Sequence, residues 1–90
     1  MARDIDVDIE ALESFIHSLV QFEGVVEDKL QSLQSAWETC DDSWKSGGKQ
    51  EFSQGYEETE QSVKRAVETT QGAIEWLNKF KQSLEDFNRR

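Results

Sequence analysis

Proline is absent from this chain, cysteine and histidine occur once each, and basic residues are outnumbered by acidic ones, 10 against 19. Each shortage excludes something. Without proline, no helix is obliged to break or kink on that account. With Cys40 alone there is no intramolecular disulfide, and with His17 as the sole histidine a zinc cluster of Cys and His ligands has nothing to be built from. No apolar run approaches the roughly 20 residues that span a bilayer. The start, Met1 to Asp8, alternates acids with apolar residues where a cleaved secretory signal would be basic and then apolar. A formal charge of −9 repels phosphate backbones and anionic headgroups, which argues against nucleic acid and membrane insertion as partners. A nucleophile, a base and an orienting acid must converge in a pocket. A chain with so few candidates is expected to be no enzyme and to carry no cofactor or metal.

What is present is helix. Gly24, Gly55 and Gly72 are isolated within periodic segments, whereas Gly47 and Gly48 are adjacent and follow Ser46, marking a single break near the middle. Upstream, apolar residues recur with alternating steps of four and three through Ile5, Ile9, Leu12, Ile16, Leu19, Val26, Leu30, Leu33, Trp37, Cys40 and Trp44, with Glu23 the one polar member. Downstream the same rule selects Phe52, Tyr56, Thr59, Val63, Ala66, Thr70, Ala73, Leu77, Phe80, Leu84 and Phe87. Such heptad stripes keep one side of each helix against a partner. Asp4, Asp6, Asp8 and Glu10 suit a helix N-terminus, and Arg89 and Arg90 a C-terminus. Acid-to-base pairs four apart, Glu60 with Lys64, Glu75 with Lys79 and Glu85 with Arg89, suit exposed helix faces. The fold expected is all-α: one domain over residues 1–90, with a helix over about 6–43, a turn over 44–48 and a second, antiparallel helix over about 49–88.

Two helices bury one stripe each, and this sequence has apolar residues to spare. Phe15, Val20 and Phe22 flank the first stripe, and Val67, Ile74 and Trp76 flank the second. Such width suits a helix packed against two others. Phe15, Phe22, Val67, Ile74 and Trp76 are accordingly expected to form an interface with a second hairpin in a four-helix bundle. Cys40, within the stripe, is expected to be a buried free thiol. His17 is expected at the surface or on the rim.

Trp44 stands beside the turn in Asp41-Asp42-Ser43-Trp44-Lys45-Ser46-Gly47-Gly48, and Phe52 follows eight residues later. A Trp there can simply cap the end of the core. The combination of two long helices, a Trp at the central turn, small residues after it and an aromatic eight positions on resembles the WXG family of ESAT-like helical hairpins from type VII (ESX) secretion systems. The resemblance covers nearly the whole chain through Trp44, Gly47, Gly48 and Phe52, although Ser46 stands where the family motif has its glycine. It implies a non-enzymatic protein that pairs with itself or with a related hairpin. Its further partners would be a secretion ATPase or a larger toxin, and it would be secreted without a cleaved signal peptide as a substrate of, or accessory to, a type VII-like system. The family's export signal, an aromatic residue followed four positions later by an acid near the end of helix two, finds its spacing in Tyr56 and Glu60, which lie near that helix's start. Two other readings stay open: a needle-type structural subunit of another secretion system, whose turn would usually contain proline, and a cytoplasmic adaptor or immunity-type protein.

Overall fold

The computed structural model describes residues 7–88, so Asp4, Ile5, Asp6, Arg89 and Arg90 lie outside the described residues. Two helices follow one another, α1 over Ile9–Ser43 and α2 over Lys49–Asn88, folded back into an antiparallel hairpin measuring 67 × 18 × 15 Å. α1 begins three residues later than the sequence pattern suggests because Asp8 is its N-cap: the Asp8 carboxylate accepts from the Glu10 N–H at 2.9 Å and the Ala11 N–H at 3.4 Å. Those donors have no partner inside the helix, which is why an acid settles there.

The stripes that meet differ from the heptads predicted. On α2 the half-buried positions are Lys49, Ser53, Tyr56, Glu60, Val63, Val67, Thr70, Ile74, Leu77, Lys81, Leu84 and Glu85. Thr59, Ala66, Ala73 and Phe80 are replaced in the seam by their C-terminal neighbours, a rotation of the helix toward its larger side chains. Burying Val67 and Ile74 removes more apolar surface from water than burying Ala66 and Ala73. Val67 and Ile74, expected on an outer flank, therefore face α1. On α1 the expected stripe holds from Ile9 to Leu30, and then Gln34 and Asp41 replace Leu33 and Cys40. A straight helix at 3.6 residues per turn drifts about 20° per heptad from a seven-residue repeat, and the extra four-residue step from Leu30 to Gln34 absorbs that drift. Cys40 is exposed rather than buried.

Polar pairs close the edges of the seam. Gln34 Nε2 donates to Glu60 Oε2 at 2.8 Å, Lys49 Nζ meets Asp41 Oδ1 at 2.8 Å, and Lys81 Nζ meets Glu13 Oε2 at 3.2 Å. Glu60 is thus turned toward α1 and not toward Lys64. At mid-length Gln71 Nε2 donates to both Glu23 Oε2 and Glu27 Oε2, each at 2.8 Å. Among the described residues only Leu12 and Ile16 are fully buried, each 7 % exposed. The hairpin by itself leaves most of its large apolar side chains in contact with water.

Candidate functional site

The turn is built from three local devices. Trp44 ends α1 in an extended conformation, its N–H donating to the Asp41 carbonyl at 3.3 Å. Lys49, at the start of α2, reaches back so that Nζ donates to that same carbonyl at 3.1 Å as well as pairing with the Asp41 carboxylate. Gly48 adopts φ +89°, a left-handed conformation that a side chain disfavours, and its carbonyl receives the Phe52 N–H at 3.1 Å. Lys45, Ser46 and Gly47 bridge the gap between Trp44 and Gly48, so the turn places its positive φ at the second glycine of the pair.

This geometry brings four aromatic rings together. Trp44 and Phe52 have centroids 5.8 Å apart, as the sequence leads one to expect. Trp37, one heptad before Trp44, joins them: its ring lies 6.2 Å from Trp44, 5.2 Å from Phe52 and 5.3 Å from Tyr56. Phe52 is 50 % exposed, and Trp37, Trp44 and Tyr56 are half-buried. The cluster seals the closed end of the hairpin and shows part of its apolar surface to solvent. Trp37 was legible in the sequence only as one more stripe position; its heptad spacing from Trp44 is the signal that places both rings at one end.

Tyr56 and Glu60 do come together, one turn apart on α2. The Tyr56 hydroxyl donates to Glu60 Oε2 at 3.4 Å, and the same oxygen accepts from Gln34. Desolvation pushes the Tyr56 phenol above its ordinary value of 10.0, and the charge of Glu60 and its hydrogen bond add to the shift. Glu38, Glu57 and Glu60 line the shallow cleft beside Trp37 and Tyr56, so the surroundings of the cluster are acidic.

The remaining predicted residues separate into two groups. Phe15, Phe22 and Trp76 are exposed, at 55 %, 61 % and 61 %, and Trp76 stacks on Phe80 with centroids 5.2 Å apart and planes within 9°. Val67 and Ile74 belong to the seam, although Val67 also reaches a groove of about 150 Å³ together with Phe22, Val26, Val63, Ala66 and Thr70, to which Glu23 contributes. No single stretch of sequence marks that groove, since it forms only where Phe22 and Val26 of α1 meet Val63, Ala66, Val67 and Thr70 of α2. Among the described residues no group of three or more His, Cys, Asp or Glu could hold a metal ion, and no helix is long and apolar enough to cross a membrane.

The turn tryptophan, the glycines after it and the long helices on either side agree with one comparison. No curated protein and no solved structure matches the chain. A family model does, that of WXG100, described as proteins of 100 residues with WXG, and it matches residues 4–89. The chain therefore belongs to the WXG100 family.

Proposed function

We propose that this hairpin is a non-enzymatic substrate of a type VII (ESX) secretion system, or an accessory that travels with such a substrate. In this reading it pairs with itself or with a related hairpin, is recognised by a secretion ATPase or a larger toxin at its turn, and leaves the cell without cleavage of a signal peptide. The observation that carries the reading is the turn itself. Trp44 and Phe52 are held 5.8 Å apart on Trp37, with Phe52 half exposed, so an apolar recognition surface is offered on a fixed support. Aromatic side chains supply large contact area with little loss of rotamer freedom, which suits them to recognition.

Tyr56 and Glu60 serve the hairpin in this reading more than they serve export. Their polar atoms are engaged with each other and with Gln34, and the Tyr56 ring leans on Trp37. Export would then depend on Trp44 and on the partner hairpin. The test is secretion of a tagged chain from a host with an intact type VII system, beside an isogenic strain with an inactive secretion ATPase. Wild-type protein is expected in the medium of the first strain alone. Trp44→Ala should remain inside the cell while keeping its helical circular dichroism. Equal release from both strains, or undiminished release of Trp44→Ala, would refute the proposal.

A further inference from the structure

The aromatic cluster at the turn is only partly covered, and its two sides differ. Phe52 stands two heptads before Ala66, on the face where Phe22 and Ala66 border the apolar groove. Trp37 and Tyr56 open on the other face. There they line a cleft of about 300 Å³ with Gln34, Glu38, Glu57 and Glu60. Glu38 lies one heptad after Gln31, and Glu57 one heptad before Lys64. Gln31 and Lys64 line an open polar groove with Glu27, Asp28 and Glu68, so the cleft continues that polar face toward the turn.

We infer that this cleft receives an arginine side chain from a segment of the partner protein that recognises the turn, an inference that rests on the recognition reading above. Charge decides the occupant. Carboxylates of Glu38, Glu57 and Glu60 border the two rings, and between Gln31 and Glu60 the only basic residues are Lys45 and Lys49, of which Lys49 is held by Asp41. Among the described residues Glu38 and Glu57 meet no cation, and Glu60 accepts from Gln34 and Tyr56 through Oε2, which leaves its Oε1 open. The carboxylates act on one place: desolvation raises the Tyr56 phenol first, and the charges of Glu60 and then Glu38 add to it. A cation seated there also gains from the negative faces of Trp37 and Tyr56. Arginine suits the site better than lysine, because a planar guanidinium stacks on a ring while its donors fork onto carboxylates. The cleft has the room of roughly ten waters, enough for one such side chain. It lies away from the face that carries Phe15 and Phe22, so a hairpin paired through those residues keeps it accessible.

Titration with a short peptide of alternating glycine and arginine, followed by heteronuclear NMR of the indole and amide N–H groups, tests the inference. The signals of Trp37, Glu38 and Glu57 should shift, while Trp76, on the far part of α2, should stay in place. A peptide with lysine for arginine should bind several-fold more weakly. Glu38→Gln and Glu57→Gln together should raise the Kd on the order of tenfold with the helical circular dichroism unchanged. Glu68→Gln and Glu75→Gln together remove the same charge from exposed positions outside the cleft and should leave the Kd as it is. Equal weakening by the two pairs, equal binding of the lysine peptide, or a Trp76 shift matching that of Trp37 would reduce the contact to general attraction between opposite charges and overturn the inference. The binding measurement involves no export. A chain that binds arginine at the cleft yet is released equally by both strains refutes the proposed function alone, whereas a chain released only by the intact system, with a cleft indifferent to arginine, overturns this inference alone.

Discussion

Trp37 meets Trp44 edge-on, with ring centroids 6.2 Å apart and planes 76° from parallel; Trp37, like Phe52, contacts each of the other three rings of the cluster, whereas Trp44 contacts only Trp37 and Phe52. The two tryptophans therefore have different weights. Trp37 carries the packing, so Trp37→Ala should cost about 2 kcal/mol or more, below the usual 3–5 for a fully buried aromatic because the ring is half-buried. Trp44 ends the helix beside the turn and touches fewer groups, and its replacement by alanine should cost about half as much on the same scale. Urea unfolding followed by circular dichroism measures both. Equal losses would mean that Trp44 is as much a core residue as Trp37, and the recognition role would lose its support.

The acids at mid-length should make the hairpin pH-sensitive. Glu27 is held above its ordinary value of 4.5, first by its hydrogen bond with Glu23 and the charge on Glu23, then by desolvation, with the Gln71 amide opposing and Asp28 adding slightly. A carboxyl whose pKa is raised by folding contributes stability that is fully present below its unfolded value and is lost as pH rises through the folded one. Thermal midpoints should accordingly fall from about pH 4.5 upward, over the interval between the ordinary and the raised value. The overall acidity of the chain pushes in the same direction, so the decisive quantity is the difference between wild type and Glu27→Gln. The variant should show a shallower decline. Parallel profiles would mean that the Glu23 and Glu27 pair contributes nothing of its own.

The helices, the turn and the pairing of Trp44 with Phe52 were legible because they rest on local chemistry: adjacent glycines end a helix wherever they occur, and eight residues across such a turn bring two rings side by side. The seam on α2 was not. Thr59, Ala66, Ala73 and Phe80 fit a heptad as well as Glu60, Val67, Ile74 and Lys81 do, and only the total area buried against α1 chooses between them. Counting hydrophobic positions favoured the first set because it avoids two charged residues. The structure accepts both, since Glu60 finds Gln34 and Tyr56 while Lys81 finds Glu13. Cys40 was misplaced for a related reason. Its heptad position holds only if the seven-residue grid is kept past Leu30, and α1 does not keep it.

Two glycines should respond to alanine in opposite directions. Gly72 lies within α2, and a methyl group there would have nothing within 4 Å. Gly72→Ala should stabilise the hairpin by about 1 kcal/mol, the helix-propensity difference between the two residues. Gly48 also has open space around it, but its φ of +89° places any side chain in the left-handed region. Gly48→Ala should therefore destabilise by roughly 1 kcal/mol, the conformational cost paid by an L-residue there. Chemical denaturation of the two variants beside wild type gives both signs at once. A stabilised Gly48→Ala would show that the turn relaxes to another conformation.

Cys40 joins two measurements that together report on how copies are arranged. Its thiol is exposed on α1 close to the turn, so an aromatic disulfide reagent should modify it in the native protein without prior unfolding. Exposure would also let two copies form a disulfide wherever their thiols meet, which requires Cα atoms within about 7 Å. Antiparallel pairing of two copies, which we propose for the four-helix bundle, would forbid that meeting. It sends the two turns to opposite ends of the bundle, separating the thiols by tens of ångströms at 1.5 Å per helical residue. The expected result is a thiol that reacts fully with the small reagent, together with a protein that stays uncross-linked on non-reducing electrophoresis after mild oxidation of the dimer. A high yield of covalent dimer with native helical content would place the turns side by side, and the hairpins would then be parallel.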